Sequence, residues 1–450
     1  MKGPQFIIFL NIFFLSMAIW GSGFAQPLEY SLKNEISIRG AMDLRDDGGE
    51  EDTSFGRLII RPQLELEREG VFNAKLSMKG DYIYAKNSDN DMDQKEVKVW
   101  DSYIKFKRDA FEFSLGNMIV SWGKADEFSP VDELNPQDLR ELVFMDLDQR
   151  KRPIPMAQLK VYRGGQTLEF IVSPKGNHHK RDYFDTDWAV FRHYLDTFAH
   201  GPVKIKVDED HLTYSLRDIE LGMRWSFQIR DIDLALSYLY LHDRSPYPAL
   251  KAPQIPGITV DVITDGERLK GLYQLLPYLG DLSVGVEYPR DSMFGLEFDT
   301  TLGPWGLRGE AVYHTGRVFL ENNFSYCQKG YFQYIIGLDR FFEDNLYLNM
   351  QFFQQLIDAY DENIMFDPRV DTGFTLKFDW TFWEERFDLS LTGFYSLANE
   401  MWYVNPELTW KPKDNVYILF GIHSIYGDEG SYFDLYDTNS EVYIGLRIII

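Results

Sequence analysis

Disulfide chemistry, a helical membrane span and a polyanion-binding surface are all missing from this 450-residue chain. Cys327 is the only cysteine, so no disulfide forms within the chain, and its thiol is expected to be a small packing group. Basic residues are scarce against acidic ones, 46 to 70, for a net charge of −24. That balance excludes nucleic acid as a partner, because phosphate binding needs a basic face. After Trp20 no stretch approaches the roughly 20 apolar residues that a spanning helix needs. Neither a Gly-x-Ser-x-Gly elbow nor a phosphate-cradling glycine loop occurs, so the chain is expected not to be an enzyme and to use no cofactor.

What is present begins with an export signal. Lys2 supplies a positive start, Phe6 to Trp20 an apolar core, and Gly23-Phe24-Ala25 a small-x-Ala cleavage site. Residues 1–25 are therefore expected to be a signal peptide and 26–450 the mature chain. A retained anchor helix is the alternative; the shortness of the run argues against it.

The mature chain alternates. Phe374, Leu376, Phe378, Trp380 and Phe382 fall on one face, and Thr375, Lys377, Asp379 and Thr381 on the other. Leu221, Met223, Trp225, Phe227 and Ile229 alternate likewise with Glu220, Arg224, Ser226 and Gln228, and Val442, Ile444, Leu446, Ile448 and Ile450 with Tyr443 and Arg447. A period of two with one apolar face makes strands, and its recurrence to the last residue suggests a sheet closed on itself in lipid. The expected fold is all-β: a membrane-spanning antiparallel β-barrel of about 18 strands, with 16 as the alternative, carrying long inward or outer loops. Eight tight connections support that count: 68–71, 108–110, 164–165, 230–231, 303–304, 343–345, 384–386 and 411–414. They alternate with longer links if both termini are periplasmic.

A charge facing lipid near the midplane costs about 2–4 kcal/mol for Arg or Lys. Arg57, Arg61, Glu65, Arg224 and Arg447 should therefore point inward and line a wet lumen. Three links, 118–155, 174–215 and about 243–290, exceed ordinary loop length. The third is expected to hold a helix near 267–278 and a strand start near 281–288. Loops of this size can fold inward and constrict the pore.

The first long loop reads Ser121-Trp122-Gly123-Lys124-Ala125-Asp126, then Pro130-Val131-Asp132, then Asn135-Pro136-Gln137-Asp138-Leu139, and on to Lys151-Arg152-Pro153. This string resembles that of a family of outer-membrane proteins of unknown function sharing a WGxxD…PxD…NPxDL stretch. Weaker likenesses lie at Tyr288-Pro289-Arg290-Asp291, Arg308-Gly309-Glu310 and 439–443. The resemblance implies a porin-like barrel in the outer membrane of a Gram-negative bacterium, moving small organic or hydrophobic compounds. It carries over no substrate or catalytic residues. The chain departs from such barrels by ending in Ile448-Ile449-Ile450 where an aromatic residue is usual.

Read physically, the prolines stiffen this loop and Asp132, Asn135 and Asp138 turn it. Trp122, Lys124, Asp126, Asp132, Asn135, Asp138, Arg140, Arg150, Lys151 and Arg152 are the candidate constriction and substrate residues. No metal site is expected: His178 and His179 are adjacent and cannot easily share one ion, so a solvated loop is the reading there. The acidic run 46–52 is expected to be a soluble loop, with divalent cations bridging it to anionic headgroups as the alternative. Expected partners are outer-membrane lipid and lipopolysaccharide, the barrel assembly machinery, and an inner-membrane efflux or export pump. A barrel-embedded hydrolase would need a Ser/His or Asp/His set at one rim; a structural or adhesive barrel would need a filled lumen. No such catalytic set stands out, and inward charge density favours water over filling, so the channel is the expected reading.

Overall fold

The alternation closes on itself. The computed structural model describes residues 27–450 apart from 45–53, 87–90, 127, 183–185, 187, 190–204, 210–211, 246, 251–281, 323–324 and 344. The expected signal peptide, the acidic run and the expected helix at 267–278 lie outside the described residues.

Among the described residues the strands begin with β1 (Glu29–Asp43), β2 (Ser54–Arg68), β3 (Phe72–Lys86), β4 (Asp91–Val99), β5 (Ser102–Arg108) and β6 (Phe111–Met118). They continue with β7 (Ile154–Arg163), β8 (Gln166–Ser173), β9 (Ile205–Glu209), β10 (Glu220–Ile229), β11 (Ile232–His242), β12 (Tyr247–Leu250), β13 (Leu282–Glu287) and β14 (Arg290–Leu302). The last are β15 (Trp305–Leu320), β16 (Tyr326–Phe342), β17 (Leu346–Ile357), β18 (Val370–Phe382), β19 (Phe387–Ser396), β20 (Met401–Lys413), β21 (Val416–Tyr426) and β22 (Glu441–Ile449).

β4 and β5 both pair with β3 and are parted only at Trp100-Asp101, so together they make one wall strand. Each wall strand pairs antiparallel with its neighbours, and β1 returns to β22 from Glu35↔Ile449 to Asp43↔Glu441. The result is a closed 18-stranded barrel with no free wall edge to satisfy in lipid. All eight expected tight connections are there and share one end. At one of them Gly164 and Gly165 both take positive φ, 58° and 77°, which a two-residue hairpin of the primed type requires.

The faces sort as the pattern demands. Leu221, Met223, Trp225, Phe294, Leu296, Phe374 and Ile444 are exposed on the outer face, while Glu220, Glu297, Glu310 and Tyr443 are buried on the inner one. Aromatic rings gather outside at both rims. Trp380, Phe382, Phe387 and Trp410 stack in sequence near the tight turns, and Trp402 stacks on Tyr426 near the other end. The expected strand near 281–288 is β13. It belongs to a small separate sheet, parallel to β9 and antiparallel to β12, that joins the second and third long loops.

One expectation needs correcting. The inward charges do not all line water: Arg57 is 5 % exposed. Carboxylates from the first long loop reach it and replace its hydration.

Candidate permeation site

The chain leaves the wall after Met118 and re-enters it at Ile154, and the segment between lies inside the barrel. It carries one short helix, α1 (Leu147–Arg150). Apolar packing seats its first half. Trp122, Val131 and Leu134 join a buried cluster with the inward residues Ile171, Leu239, Met293 and Val312 of β8, β11, β14 and β15. Gly222 on β10 makes room for this. A Cβ there would stand 3.1 Å from the Trp122 ring and 3.1 Å from Leu239. The Trp122 indole N–H, which must find a partner once buried, donates to Glu169 at 3.2 Å.

A single wall carboxylate then holds the loop's tip. Glu310 accepts from the backbone N–H groups of Lys124, Ala125 (2.6 Å) and Val131 (3.3 Å), and from the Ser129 hydroxyl (2.7 Å). Gly123 sits at φ 99°, where a side chain would collide with Ser129 and Glu310. Next to the tip, Asp126 accepts from Tyr347 and from Asn349 (2.9 Å) on β17 and faces Arg308 on β15 at 3.4 Å.

The second half is fastened to the opposite wall by charge. Arg57 on β2 donates to Asp81 (2.7 and 2.9 Å), Asp138 (3.0 Å) and Glu141. Arg140 donates to Asp138 (2.6 and 2.9 Å) and Asp81 (2.6 Å). Glu141 also pairs with Arg39 on β1, which pairs with Glu441 on β22. Burial alone would raise the Asp138 carboxyl. The Arg140 hydrogen bond and the charges of Arg57, Arg140 and Lys79 outweigh it and hold Asp138 well below the usual carboxylate range. Such a network adds little net stability over apolar packing, but breaking one member costs about 3–5 kcal/mol, so it specifies position. Beyond it Phe144 stacks on His423 of β21, 4.2 Å between centroids.

A protein-family model described as a protein of unknown function, DUF1302, matches residues 176–415. The chain belongs to that family. The matched span begins beyond the loop string at 121–156, so the likeness of that string stands outside it. Among solved structures, Acinetobacter baumannii OccAB1 superposes with a TM-score of 0.53 at 8% identity, over 95% of this chain and 98% of that one. Pseudomonas aeruginosa OccK5 (OpdH) gives 0.49 at 9% identity over 93% and 98%. The outer membrane channel DcaP of Acinetobacter baumannii gives 0.44 at 10% over 94% and 97%. At such identities the OccAB1 likeness shows the barrel fold. No curated protein matches the sequence.

In this DUF1302 chain the ten candidate residues lie on one loop but serve different ends. Trp122, Asn135, Asp138, Arg140, Arg150 and Lys151 are buried. Asn135 stitches the loop's two ends, accepting from Val120 N–H (2.8 Å) and donating to the carbonyls of Met118 (3.0 Å) and Arg152 (2.9 Å). Arg150 donates to the carbonyls of Val143 (2.6 Å) and Met145 (3.2 Å). Lys151 pairs with Asp132 and donates to Ser121 at 2.6 Å; burial still lifts the Asp132 carboxyl above its usual value. Arg152 donates to the His178 carbonyl at 2.8 Å. Lys124 and Asp126 keep side chains about a third exposed in the lumen, 35% and 29%.

His179 corrects the solvated-loop reading. Its Nδ1 accepts from the Gln137 N–H at 2.9 Å. Burial, and then the charges of Arg181, Arg244, Arg152 and Arg317, hold it well below 6.5, so it packs as a neutral ring. The residues that hold the loop from the wall, Glu310, Asp81 and Arg39, were not among the candidates. Each is an inward charge on a strand, and its partner lies 59 to 186 residues away in sequence.

Proposed function

We propose that the chain is a porin-like channel of the outer membrane, passing small organic or hydrophobic compounds through a lumen narrowed by the 118–155 loop. The observation that carries this reading is the loop itself. It is tied on one side to Glu310 and Asn349, and on the other to Arg57 and Arg39. A segment held across the lumen from opposite walls sets what can pass. The apolar outer face with its two aromatic rims supports an outer-membrane location among lipid and lipopolysaccharide, reached through the barrel assembly machinery. An inner-membrane efflux or export pump is the partner that would give the flux a direction.

The test is single-channel conductance of the purified, heat-modifiable protein in a planar bilayer, before and after removal of part of 132–149. Discrete openings that enlarge on trimming are expected. Unchanged conductance overturns the constriction. Silence in both forms overturns the channel and returns the structural and hydrolase readings.

A further inference from the structure

The outer wall carries an arginine that nothing in the chain compensates. Arg340 on β16 points the same way as the exposed Ile336 and Leu338, toward lipid, one outward position short of Phe342 at the tight turn. A charge on this face is costly at the midplane and tolerated only near the interface. The guanidinium carbon stands 4.5 Å from the Phe342 ring centre and 5.4 Å from that of Trp305 on β15. Such rings attract the charge through their faces but leave its five in-plane N–H donors open. Among the described residues no carboxylate or carbonyl takes those donors. Asp339, beside Arg340 in sequence, faces the lumen and Arg308 at 3.3 Å. Nε is enclosed without an acceptor, while the two Nη groups at the tip are unbonded and not enclosed. Outward cations toward the long-loop rim differ: Arg290 donates to the Ile219 carbonyl at 2.9 Å, and Lys95 pairs with Asp93 at 2.9 Å.

Beside Arg340 an apolar groove of about 820 Å³ crosses the outer face from β15 to β20. Its floor follows one ladder row, Leu338, Met350, Leu376, Gly393 and Val404, each paired with the next. Gly393 makes the depression. A Cβ there would meet only Leu376 at 3.7 Å and the Tyr403 carbonyl at 3.9 Å, so the space is open and unstrained. From β16 to β20 the row runs four strand spacings, about 19 Å. One acyl chain, which fills about 15 Å of a bilayer's hydrocarbon core, fits that length. Arg340 follows Leu338 on the outward face and so stands at the tight-turn end of the groove. An open cation at one end of a long apolar groove suits an amphiphile with an anionic head and an acyl tail.

We propose that the outer wall holds one phospholipid, its phosphate on Arg340 between Trp305 and Phe342 and an acyl chain laid along the groove over Gly393. Two phosphate oxygens accept parallel N–H bonds from the open Nη groups. The head then lies in the leaflet on the tight-turn side. The site needs only the lipid-facing wall and not an open lumen, so it goes beyond the channel reading and is independent of the conductance test.

The experiment is native mass spectrometry of the delipidated, detergent-purified full chain titrated with dipalmitoyl phosphatidylglycerol, with dipalmitoylglycerol and with inorganic phosphate. One phosphatidylglycerol should be retained, at least tenfold more tightly than either of the others. Arg340→Gln should erase the preference over dipalmitoylglycerol, while Lys95→Gln, exposed on β4, should keep it. Gly393→Phe fills the groove and should weaken phosphatidylglycerol at least threefold with Arg340 intact. If Arg340→Gln loses its heat-modifiable folded band, Gly393→Phe alone is read. Equal retention of the two lipids, retention of neither, or an unchanged preference in the Arg340 variant overturns the site. Inorganic phosphate held as tightly as the lipid assigns Arg340 to free phosphate and overturns the lipid. Phosphatidylglycerol bound as well by Gly393→Phe as by the parent chain removes the acyl chain from the groove and overturns the proposal.

Discussion

Replacing Glu310 with Gln should free the tip of the inward loop without unfolding the barrel. The carboxylate accepts four hydrogen bonds from the loop, two on each oxygen. Glutamine keeps one carbonyl oxygen, which can still serve Lys124 and Ala125. Its amide group then faces the Val131 N–H donor to donor, and the Ser129 hydroxyl must turn to accept. Losing one buried bond and the charge assistance of the others costs about 2–4 kcal/mol. That shifts the ratio of seated to released tip roughly 30- to 700-fold. The wall itself is unaffected, because Glu310 holds its place in the ladder through its backbone, opposite Glu297 and Ile335. In single-channel recording the variant should therefore show larger, noisier openings that are rare in the parent chain, with the same heat-modifiable band on a gel. A conductance histogram and noise spectrum identical to the parent would refute the claim that this carboxylate seats the loop.

Arg57→Met should lower the thermal unfolding midpoint sharply, by about 3–5 kcal/mol of stability, since it leaves the buried carboxylates of Asp81, Asp138 and Glu141 with only Arg140 and Arg39 to compensate them; an unchanged midpoint would show that these groups are hydrated. Acidification should loosen the loop in two stages. His179 has a folded pKa below its ordinary 6.5, so its contribution is intact above that pH and declines as pH falls below it. Protonation of Nδ1 would also cancel the bond from Gln137, and His179→Asn should remove this limb from a conductance-against-pH curve. Asp138, held below its ordinary 3.8, contributes fully above that value and is lost only as pH falls through its lower folded pKa. Gly222→Leu should cost about 1–3 kcal/mol by overpacking against Trp122 and Leu239, read as a lower unfolding midpoint together with altered conductance; normal values for both would place Trp122 elsewhere.

The wall was legible because lipid and water impose their demand on every second residue. Leu221, Met223 and Trp225 had to face outward and Glu220 and Arg224 inward, whatever lay across the lumen. The same rule located all eight tight turns and the parity that makes 18 strands. The loop's stiffness was legible too, from Pro130, Pro136, Pro153 and Pro155. Its fastening was not. Alternation says that Arg57 and Glu310 point inward but not what meets them, because Glu141 and the 124–131 tip lie 84 and 179 to 186 residues away. Reading Arg57 as bathed in water was wrong for that reason: a lone inward charge and a buried, compensated one look alike in sequence.

The sequence by itself determined the barrel, its outer face and the segment that must leave the wall, since each follows from local periodicity and from backbone groups that lipid will not solvate. Only the tertiary structure decided which carboxylate meets which arginine, that Gly222 yields its space to Trp122, and that Arg340 borders the groove over Gly393. Closing the sheet brings residues from opposite ends of the chain within hydrogen-bond reach, and no pattern of period two records which of them will meet.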